Sequence, residues 1–125
     1  RLALLPQWTG RRRSLAARYR SELPPDLALP ECDPGHVYHL FAIRSAARDG
    51  LQQHLRERGI ETLIHYPVTL SRQPASAAFN LAATPVAERA AHELLSLPLH
   101  PRLRDEDVTR IAGAVLEYQK GRAFA

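Results

Sequence analysis

The sequence has a single cysteine, no methionine and no long apolar run, and each absence excludes a class of protein. Cys32 alone cannot form an internal disulfide and fits a reducing compartment, so we expect a cytoplasmic chain. No apolar run approaches membrane-spanning length and no signal-peptide pattern occurs, so we expect no membrane partner. Because methionine is absent and Arg1 comes first, we expect the 125 residues to be a fragment of a longer protein.

Lysine is also scarce, since Lys120 is the only one, and the net charge of +4 comes almost entirely from arginine. Arg11, Arg12 and Arg13 form the densest cluster. Such a run is typical of a solvated helix face, but it is also compatible with a phosphate-binding patch for nucleic acid or a nucleotide-linked ligand. No helix-turn-helix, zinc-finger spacing or interleaved aromatic platform supports nucleic acid, so we expect no nucleic-acid partner.

Several kinds of catalytic site find no support in the sequence. The six histidines include no pair with the helical i, i+4 spacing of a zinc site, and one cysteine cannot make a thiolate cluster. We therefore expect no metal. A Gly-x-Ser-x-Gly elbow and a Gly-rich phosphate loop are both missing, which argues against a serine nucleophile and a nucleotide-binding loop of that type.

The order of the predicted elements indicates a two-layer α/β domain. Apolar periodicity and end signals predict helices over residues 7–22, 47–58 and 84–95 and from Asp105 onwards. Strands are predicted over 37–44 and 60–64, with a short extended piece at 97–99 and a loop over 65–84 that has one helical turn near 75–79. We expect helices mainly on one face of a small sheet of two to four strands, so that the other face exposes apolar surface.

The most informative segment is 59–67, where a predicted helix stops at Gly59 and a short apolar strand ends in His65, Tyr66 and Pro67. Polar side chains at the end of a buried strand are a common way to build a site on a rigid support. The alternative is a hydrogen-bonded strand-end histidine beside a packing aromatic. Since neighbours in an extended chain point to opposite sides, we expect only one of the two side chains to face a cleft, and we favour His65.

Six short motifs follow one another along the chain, at residues 36–41 (HVYHLF), 55–60 (LRERGI), 64–67 (IHYP), 73–75 (QPA), 85–88 (PVAE) and 95–99 (LSLPL). Together they resemble the C-terminal small domain of sugar aminotransferases of the DegT/StrS type, which are pyridoxal-phosphate enzymes of fold type I. The helix that contains Arg11 and Arg20 resembles the helix that links the two domains of these enzymes. The resemblance implies an interdomain helix over 1–22, a small domain over 23–125, and a large cofactor-binding domain outside this chain.

The resemblance also implies a function in polysaccharide or antibiotic sugar biosynthesis. Family members use pyridoxal 5'-phosphate to move an amino group, usually from glutamate, onto a nucleotide-linked keto-sugar. Their Schiff-base lysine lies in the large domain, and Lys120 matches no such motif, so we expect no catalytic and no cofactor-binding residue in this chain. The implied partners are the missing large domain, a second subunit in a homodimer, the nucleotide sugar and the amino-acid donor.

Substrate contacts are carried over from the family to four residues. The family loop that matches the His65-Tyr66-Pro67 run borders the active-site cleft, which assigns substrate binding to His65, Tyr66 and Gln73. Family loops often read His-Leu-Gln-Pro where this chain has Ser-Arg-Gln-Pro, so Arg72 is new. It is either an exposed loop side chain or a contact for a diphosphate or donor carboxylate, for which its planar fork is suited.

Two other functions stay open. One is a sensor or regulatory relative that keeps the fold and aminates nothing, because a fold does not fix a function. The other is a basic nucleic-acid-binding module that acts alone.

Overall fold

A computed structural model of the protein describes residues 2–79 and 81–123. Four α-helices and two strands lie within these ranges. A 3₁₀ turn at Leu2–Leu4 precedes the first helix, and two more 3₁₀ helices lie at Leu70–Arg72 and Pro74–Phe79. The main elements in chain order are α1 Leu5–Glu22, β1 Phe41–Arg44, α2 Arg48–Glu57, α3 Pro85–Glu93, β2 Leu94–Leu97 and α4 Asp105–Ala123.

The predicted α/β fold is confirmed, and the sheet has the smallest of the expected sizes. Strands β1 and β2 pair antiparallel, with Phe41 opposite Leu97 and Ile43 opposite Leu95. Two isolated bridges extend this ribbon, because Ala28 pairs with Arg44 beside β1 and Leu63 pairs with Ser96 beside β2. On the Leu63 side, the sheet therefore ends in a single bridge where a further strand was expected.

The core lies between this ribbon and helices α1, α2 and α4. Its largest fully buried side chains come from all three helices and both strands: Leu15, Tyr19, Phe41, Ile43, Leu51, Leu55, Leu95, Val108, Ile111 and Val115. The Tyr19 ring stacks on Phe41 with centroids 4.8 Å apart, and its hydroxyl donates to the Pro98 carbonyl at 2.9 Å. Burial raises the pKa of the Tyr19 phenol, so this hydroxyl remains a donor.

Helix α2 shows how local sequence sets an element. Leu51 and Leu55 lie one turn apart and are both buried. The helix ends in a Schellman motif, in which Gly59 N bonds to Arg56 O at 2.9 Å and Ile60 N bonds to Leu55 O at 2.9 Å. Gly59 has a φ of 68°, a left-handed conformation that glycine adopts without steric cost.

Two predicted strands are wrong in extent. The strand predicted over 37–44 begins only at Phe41, because Tyr38 has a φ of 48° and turns the chain out of the extended conformation. Tyr38 N donates to His36 Nδ1 at 2.8 Å, and the two rings stack at 4.1 Å, which holds this turn in place. The strand predicted over 60–64 is reduced to the Leu63 bridge, and Leu63 is 63% exposed rather than buried.

The third extended piece lies earlier than predicted. Strand β2 covers Leu94–Leu97, so α3 ends at Glu93 and the two leucines assigned to the helix end belong to the sheet. Pairing with β1 overrides the helical preference of leucine there. The strand stops before Pro98, which has no N–H to donate to a ladder. Lys120 lies within the last turn of α4.

Within the described ranges, no helix combines the length and the apolar character needed to cross a membrane.

Arg48 is a charged side chain in the core, with 7% of its surface exposed. Its Nη1 donates to the carbonyls of Ala91 at 3.2 Å and Leu94 at 3.1 Å, and its Nε contacts Asp49 Oδ1 at 2.5 Å. These carbonyls lie at the junction of α3 and β2, where the end of a helix leaves backbone carbonyls without intrahelical N–H donors. Arg48 therefore fastens the start of α2 to the α3–β2 junction.

We expect Arg48→Met to lower the free energy of unfolding by about 1–3 kcal/mol, because it leaves two carbonyls without their donor. Chemical denaturation of the variant and of the parent chain measures this loss. Arg56→Met is the matched control, since Arg56 is an exposed arginine on the same helix. Equal stability of the two variants would show that the Arg48 contacts contribute nothing net.

Candidate functional site

The predicted site residues His65 and Tyr66 follow directly after the bridge to β2. Leu63 N donates to Ser96 O at 3.2 Å, and Ser96 N donates to Leu63 O at 2.8 Å. The imidazole of His65 then hydrogen bonds through Nδ1 to Ser96 Oγ at 3.0 Å. His65 is thus held near β2 in two ways, by the backbone bonds of nearby Leu63 and by the hydrogen bond of its own ring.

Tyr66 is 73% exposed, and its ring lies edge-on to the His65 ring with centroids 5.6 Å apart. The peptide bond between the two residues is cis. The two rings are in contact instead of pointing to opposite sides, but of the two residues His65 lines the cavity described below and Tyr66 does not. A ligand that reaches the exposed phenol of Tyr66 also comes within reach of His65.

A cavity of about 140 Å³ lies beside His65, between the start of β1, the 61–65 segment and the end of β2. Its wall contains apolar side chains together with three titratable ones. The lining residues are His39, Leu40, Glu61, Thr62, Leu63, His65, Ser96, Leu97, Pro98 and Leu99. Such a mixture suits a small polar group that needs a few directed hydrogen bonds.

Arg72 does not extend freely into solvent, because it forms a forked ion pair with Glu88 on α3. Its Nε lies 3.3 Å from Glu88 Oε1 and its Nη2 lies 3.1 Å from Oε2. Glu88 Oε1 also accepts a hydrogen bond from Thr84 N at 3.2 Å, which caps the start of α3. The hydrogen bonds from Arg72 and from Thr84 lower the pKa of the Glu88 carboxyl.

The N-cap residue of α3 does not cap the helix with its side chain. Thr84 is the N-cap residue and Pro85 follows it, yet the Thr84 hydroxyl bonds to Ser71 Oγ at 2.9 Å instead of to the helix. Ser71 in turn contacts Thr69 Oγ1 at 3.1 Å. We call these residues (Thr69, Ser71, Arg72, Thr84 and Glu88) the loop clip, because they join the 69–72 turn to α3.

A second cavity, of about 350 Å³, lies beneath the loop clip. It lies between the loop that begins at Pro67 and one side of α3. Its lining residues are Pro67, Val68, Thr69, Arg72, Glu88, Ala91 and His92. Gln73 is exposed, and its Nε2 donates to the Val68 carbonyl at 3.4 Å. The structure thus places His65 on the first cavity, Arg72 on the second, and Gln73 at the loop that borders the second.

The polar residues that line these cavities without having been predicted as site residues include Ser96, Glu88 and His92. The signal for Ser96 is its place between two strand leucines, because alternation sends it away from the core face. The signal for Glu88 is its position one turn after Thr84, a spacing close to that of a capping box. No local pattern identifies His92, which reaches the cavity only through the packing of α3.

The loop between the two cavities has an apolar surface. From the Leu63 bridge to the first turn of α3, the large apolar side chains that remain exposed include Leu63, Tyr66, Val68, Leu70, Phe79, Leu81 and Val86. These side chains lie on the 63–86 segment, whereas the expectation concerned the open face of the sheet, which stays a prediction.

The arginine cluster on α1 has a structural role. Arg11 Nη2 lies 2.7 Å from the Leu103 carbonyl and 2.7 Å from Asp105 Oδ1. Arg13 donates to the carbonyls of His36 at 3.0 Å and Pro34 at 2.8 Å. These contacts of Arg11 and Arg13 hold α1 to the start of α4 and to the 23–40 connector.

Across residues 2–79 and 81–123, no group of three His, Cys, Asp or Glu side chains is arranged to hold a metal ion.

We expect the ion pair of the loop clip to make stability depend on acid pH. The folded-state pKa of Glu88 lies below its ordinary value of 4.5, so its contribution is present above that value and is lost as pH falls through the lower one. The melting temperature of Glu88→Gln should therefore lie below that of the parent chain near neutral pH, and the gap should shrink below pH 4.5.

Thermal melts of both proteins from about pH 7 to about pH 3 measure this gap. Glu31→Gln serves as the control, because Glu31 is an exposed carboxylate on the connector. A gap that stays constant with pH, or one that the control reproduces, would contradict the assignment.

Comparisons with known proteins place this geometry in context. The sequence profile described as the DegT/DnrJ/EryC1/StrS aminotransferase family matches residues 1–116. A dTDP-3-amino-3,4,6-trideoxy-alpha-D-glucose transaminase of Streptomyces venezuelae is 44% identical, over 94% of this chain and 33% of its own length. A dTDP-3-amino-3,6-dideoxy-alpha-D-galactopyranose transaminase of Aneurinibacillus thermoaerophilus is 36% identical, over 94% of this chain and 33% of its own.

A third relative has a regulatory name. The erythromycin biosynthesis sensory transduction protein EryC1 of Saccharopolyspora erythraea is 44% identical, over 85% of this chain and 31% of its own. Among solved structures, DesV of S. venezuelae superposes with a TM-score of 0.88 at 43% identity, over 94% of this chain and 33% of that one. The chain therefore spans about a third of the length of the relatives that it matches.

Proposed function

Because the chain belongs to the DegT/DnrJ/EryC1/StrS aminotransferase family, we propose that it is the C-terminal small domain of a pyridoxal-phosphate-dependent nucleotide-sugar aminotransferase. The observation that supports a substrate-binding role is that His65 lines a cavity with its ring held by buried Ser96, while the exposed ring of Tyr66 lies edge-on beside it. In this proposal α1 links the two domains, the large domain lies outside these residues, and the complete cytoplasmic enzyme is a homodimer.

The residues of this chain do not fit the cofactor. The only lysine, Lys120, is exposed on the last turn of α4 and lines neither of the two cavities described above. Pyridoxal phosphate is therefore assigned to the large domain, and no step of its chemistry is assigned to this chain. What this chain contributes is binding and orientation of the substrate, together with closure of the cleft.

We assign the sugar to His65 and Tyr66. An imidazole nitrogen and a phenol hydroxyl each donate or accept one directed hydrogen bond, which suits sugar hydroxyls. Arg72 and Gln73 border the same loop, and we assign them to the diphosphate or to the carboxylate of the amino donor. Two contacts of Arg72 are directed at Glu88, so Nη1 is the group that we assign to such an anion.

The names of the two transaminase relatives narrow the substrate class. Both act on dTDP-linked deoxysugars that carry the amino group at C3. We therefore propose that the acceptor is a nucleoside-diphosphate-linked deoxysugar with a keto group at C3, and that an amino acid is the donor.

A second candidate function is a sensory or regulatory one, which the name of the EryC1 relative favours. The two functions share a fold, and they differ in whether the complete protein transfers an amino group. The experiment that separates them is an assay of the complete protein with glutamate and a dTDP-3-keto-deoxysugar. Formation of the amino sugar supports the enzyme, and its absence in a folded, cofactor-loaded protein supports the regulator.

We expect the 125-residue chain alone to form no internal aldimine. Lys120 is exposed at a helix end, so any adduct with pyridoxal phosphate should be weak and should dissociate on dilution. Absorbance spectra before and after dilution, with Lys120→Ala as the control, measure this. A stoichiometric band that survives dilution and vanishes in the Lys120→Ala variant would refute the assignment of the cofactor to another domain.

In the complete enzyme, we expect His65→Ala to lower kcat/KM for the keto-sugar with little change in melting temperature. One lost contact of this kind costs about 1–3 kcal/mol in transition-state binding, or about 5- to 150-fold in kcat/KM. His100→Ala is the matched control, because His100 is an exposed histidine that lines neither cavity. A strongly destabilised His65→Ala protein whose folded fraction turns over normally would make His65 a structural residue.

A further inference from the structure

Ser96 is a buried polar residue in an otherwise apolar strand. Only 6% of its surface is exposed, while its neighbours Leu95 and Leu97 are core residues that pair with Ile43 and Phe41 of β1. Alternation along a strand sends the Ser96 side chain to the face opposite these leucines. Leu63 borders Ser96 at the edge of β2, and the His65 ring reaches the Ser96 hydroxyl on that face.

Ser96 holds this segment with three hydrogen bonds. Its N–H and C=O exchange bonds with Leu63, and its hydroxyl bonds to Nδ1 of His65 at 3.0 Å. The backbone bonds fix the position of the segment, whereas the hydroxyl bond fixes the rotation of a single side chain. The hydroxyl is therefore the part of Ser96 whose removal should leave the bridge to Leu63 in place.

We infer that Ser96 is a positioning residue, which orients the imidazole of His65 so that Nε2 faces the substrate. With Nδ1 bound to the strand, Nε2 is the ring nitrogen left to meet a ligand. A hydroxyl donates or accepts, so it holds the ring in either tautomer. The role as a substrate contact rests on the proposed function, whereas the orientation of the ring rests on the described geometry alone.

The first test measures the ring directly in the 125-residue chain. Nitrogen-15 NMR of the imidazoles reports tautomer and hydrogen bonding, and His65→Gln identifies the His65 signal. We expect Ser96→Ala to shift the Nδ1 signal of His65 and to leave the other five histidines unchanged. An unchanged His65 signal would overturn the inference.

Ser76→Ala is the matched control, because Ser76 is also a buried serine, with 8% of its surface exposed, and lies in the 3₁₀ helix Pro74–Phe79. It should not move the His65 signal. Should Ser96→Ala fail to fold, Ser96→Cys retains the size of the side chain with a weaker donor. The same shift in this variant supports the inference, and its absence overturns it.

The second test is a double-mutant cycle in the complete enzyme. We expect Ser96→Ala to lower kcat/KM about tenfold in the parent enzyme and less than about twofold in the His65→Ala background. An equal loss in both backgrounds would show that Ser96 acts through the fold instead of through His65. If the NMR shift occurs but the complete protein transfers no amino group, the proposed function fails while the orientation of His65 by Ser96 stands.

Discussion

Strand β2 is hydrogen bonded along both of its edges, to β1 on one side and to Leu63 on the other. A buried peptide group without a partner costs free energy, so a short strand in the core needs a partner on each side. The partner beyond Ser96 is the segment that leads directly into His65 and Tyr66. The hydrogen bonds that complete the sheet therefore also place the candidate substrate contacts. Arg48 stabilises the same strand at its start, because its guanidinium donates to the carbonyl of Leu94.

The loop that follows has few buried side chains, and its order comes from polar anchors. His65 is tied to Ser96 at the start of the loop, and the loop clip joins the 69–72 turn to α3 near its end. Among the described residues 66–79 and 81–83, Ser76 is the one that is buried. Anchoring by hydrogen bonds leaves the apolar side chains of the loop exposed, which is compatible with the cleft closure that we propose.

The parts of the fold that depend on nearby residues were predictable from the sequence. The spacing of Leu51 and Leu55 and the glycine at 59 are sufficient to define α2 and its end, because each contact spans a few residues. The strand limits were not predictable. Tyr38 leaves the extended conformation through its contacts with His36, and an aromatic residue with positive φ has no sequence signature. Whether Leu63 pairs over one residue or several depends on where β2 lies in space.

The candidate site also has a part that the sequence predicts and a part that it does not. The strand-end position and the resemblance to a known family both point to His65 and Tyr66, and the alternation around Ser96 contains a signal for a residue turned away from the core. The pairing of Arg72 with Glu88 was not predictable, since it joins residues 16 positions apart across the loop.

This pairing of Arg72 with Glu88 changes what each residue can bind. An anion that approaches Arg72 also meets the Glu88 carboxylate, so binding there exchanges one charge pair for another. A sugar hydroxyl that approaches His65 displaces no such partner, because Ser96 occupies the opposite ring nitrogen. The geometry therefore supports a ligand contact more strongly at His65 than at Arg72.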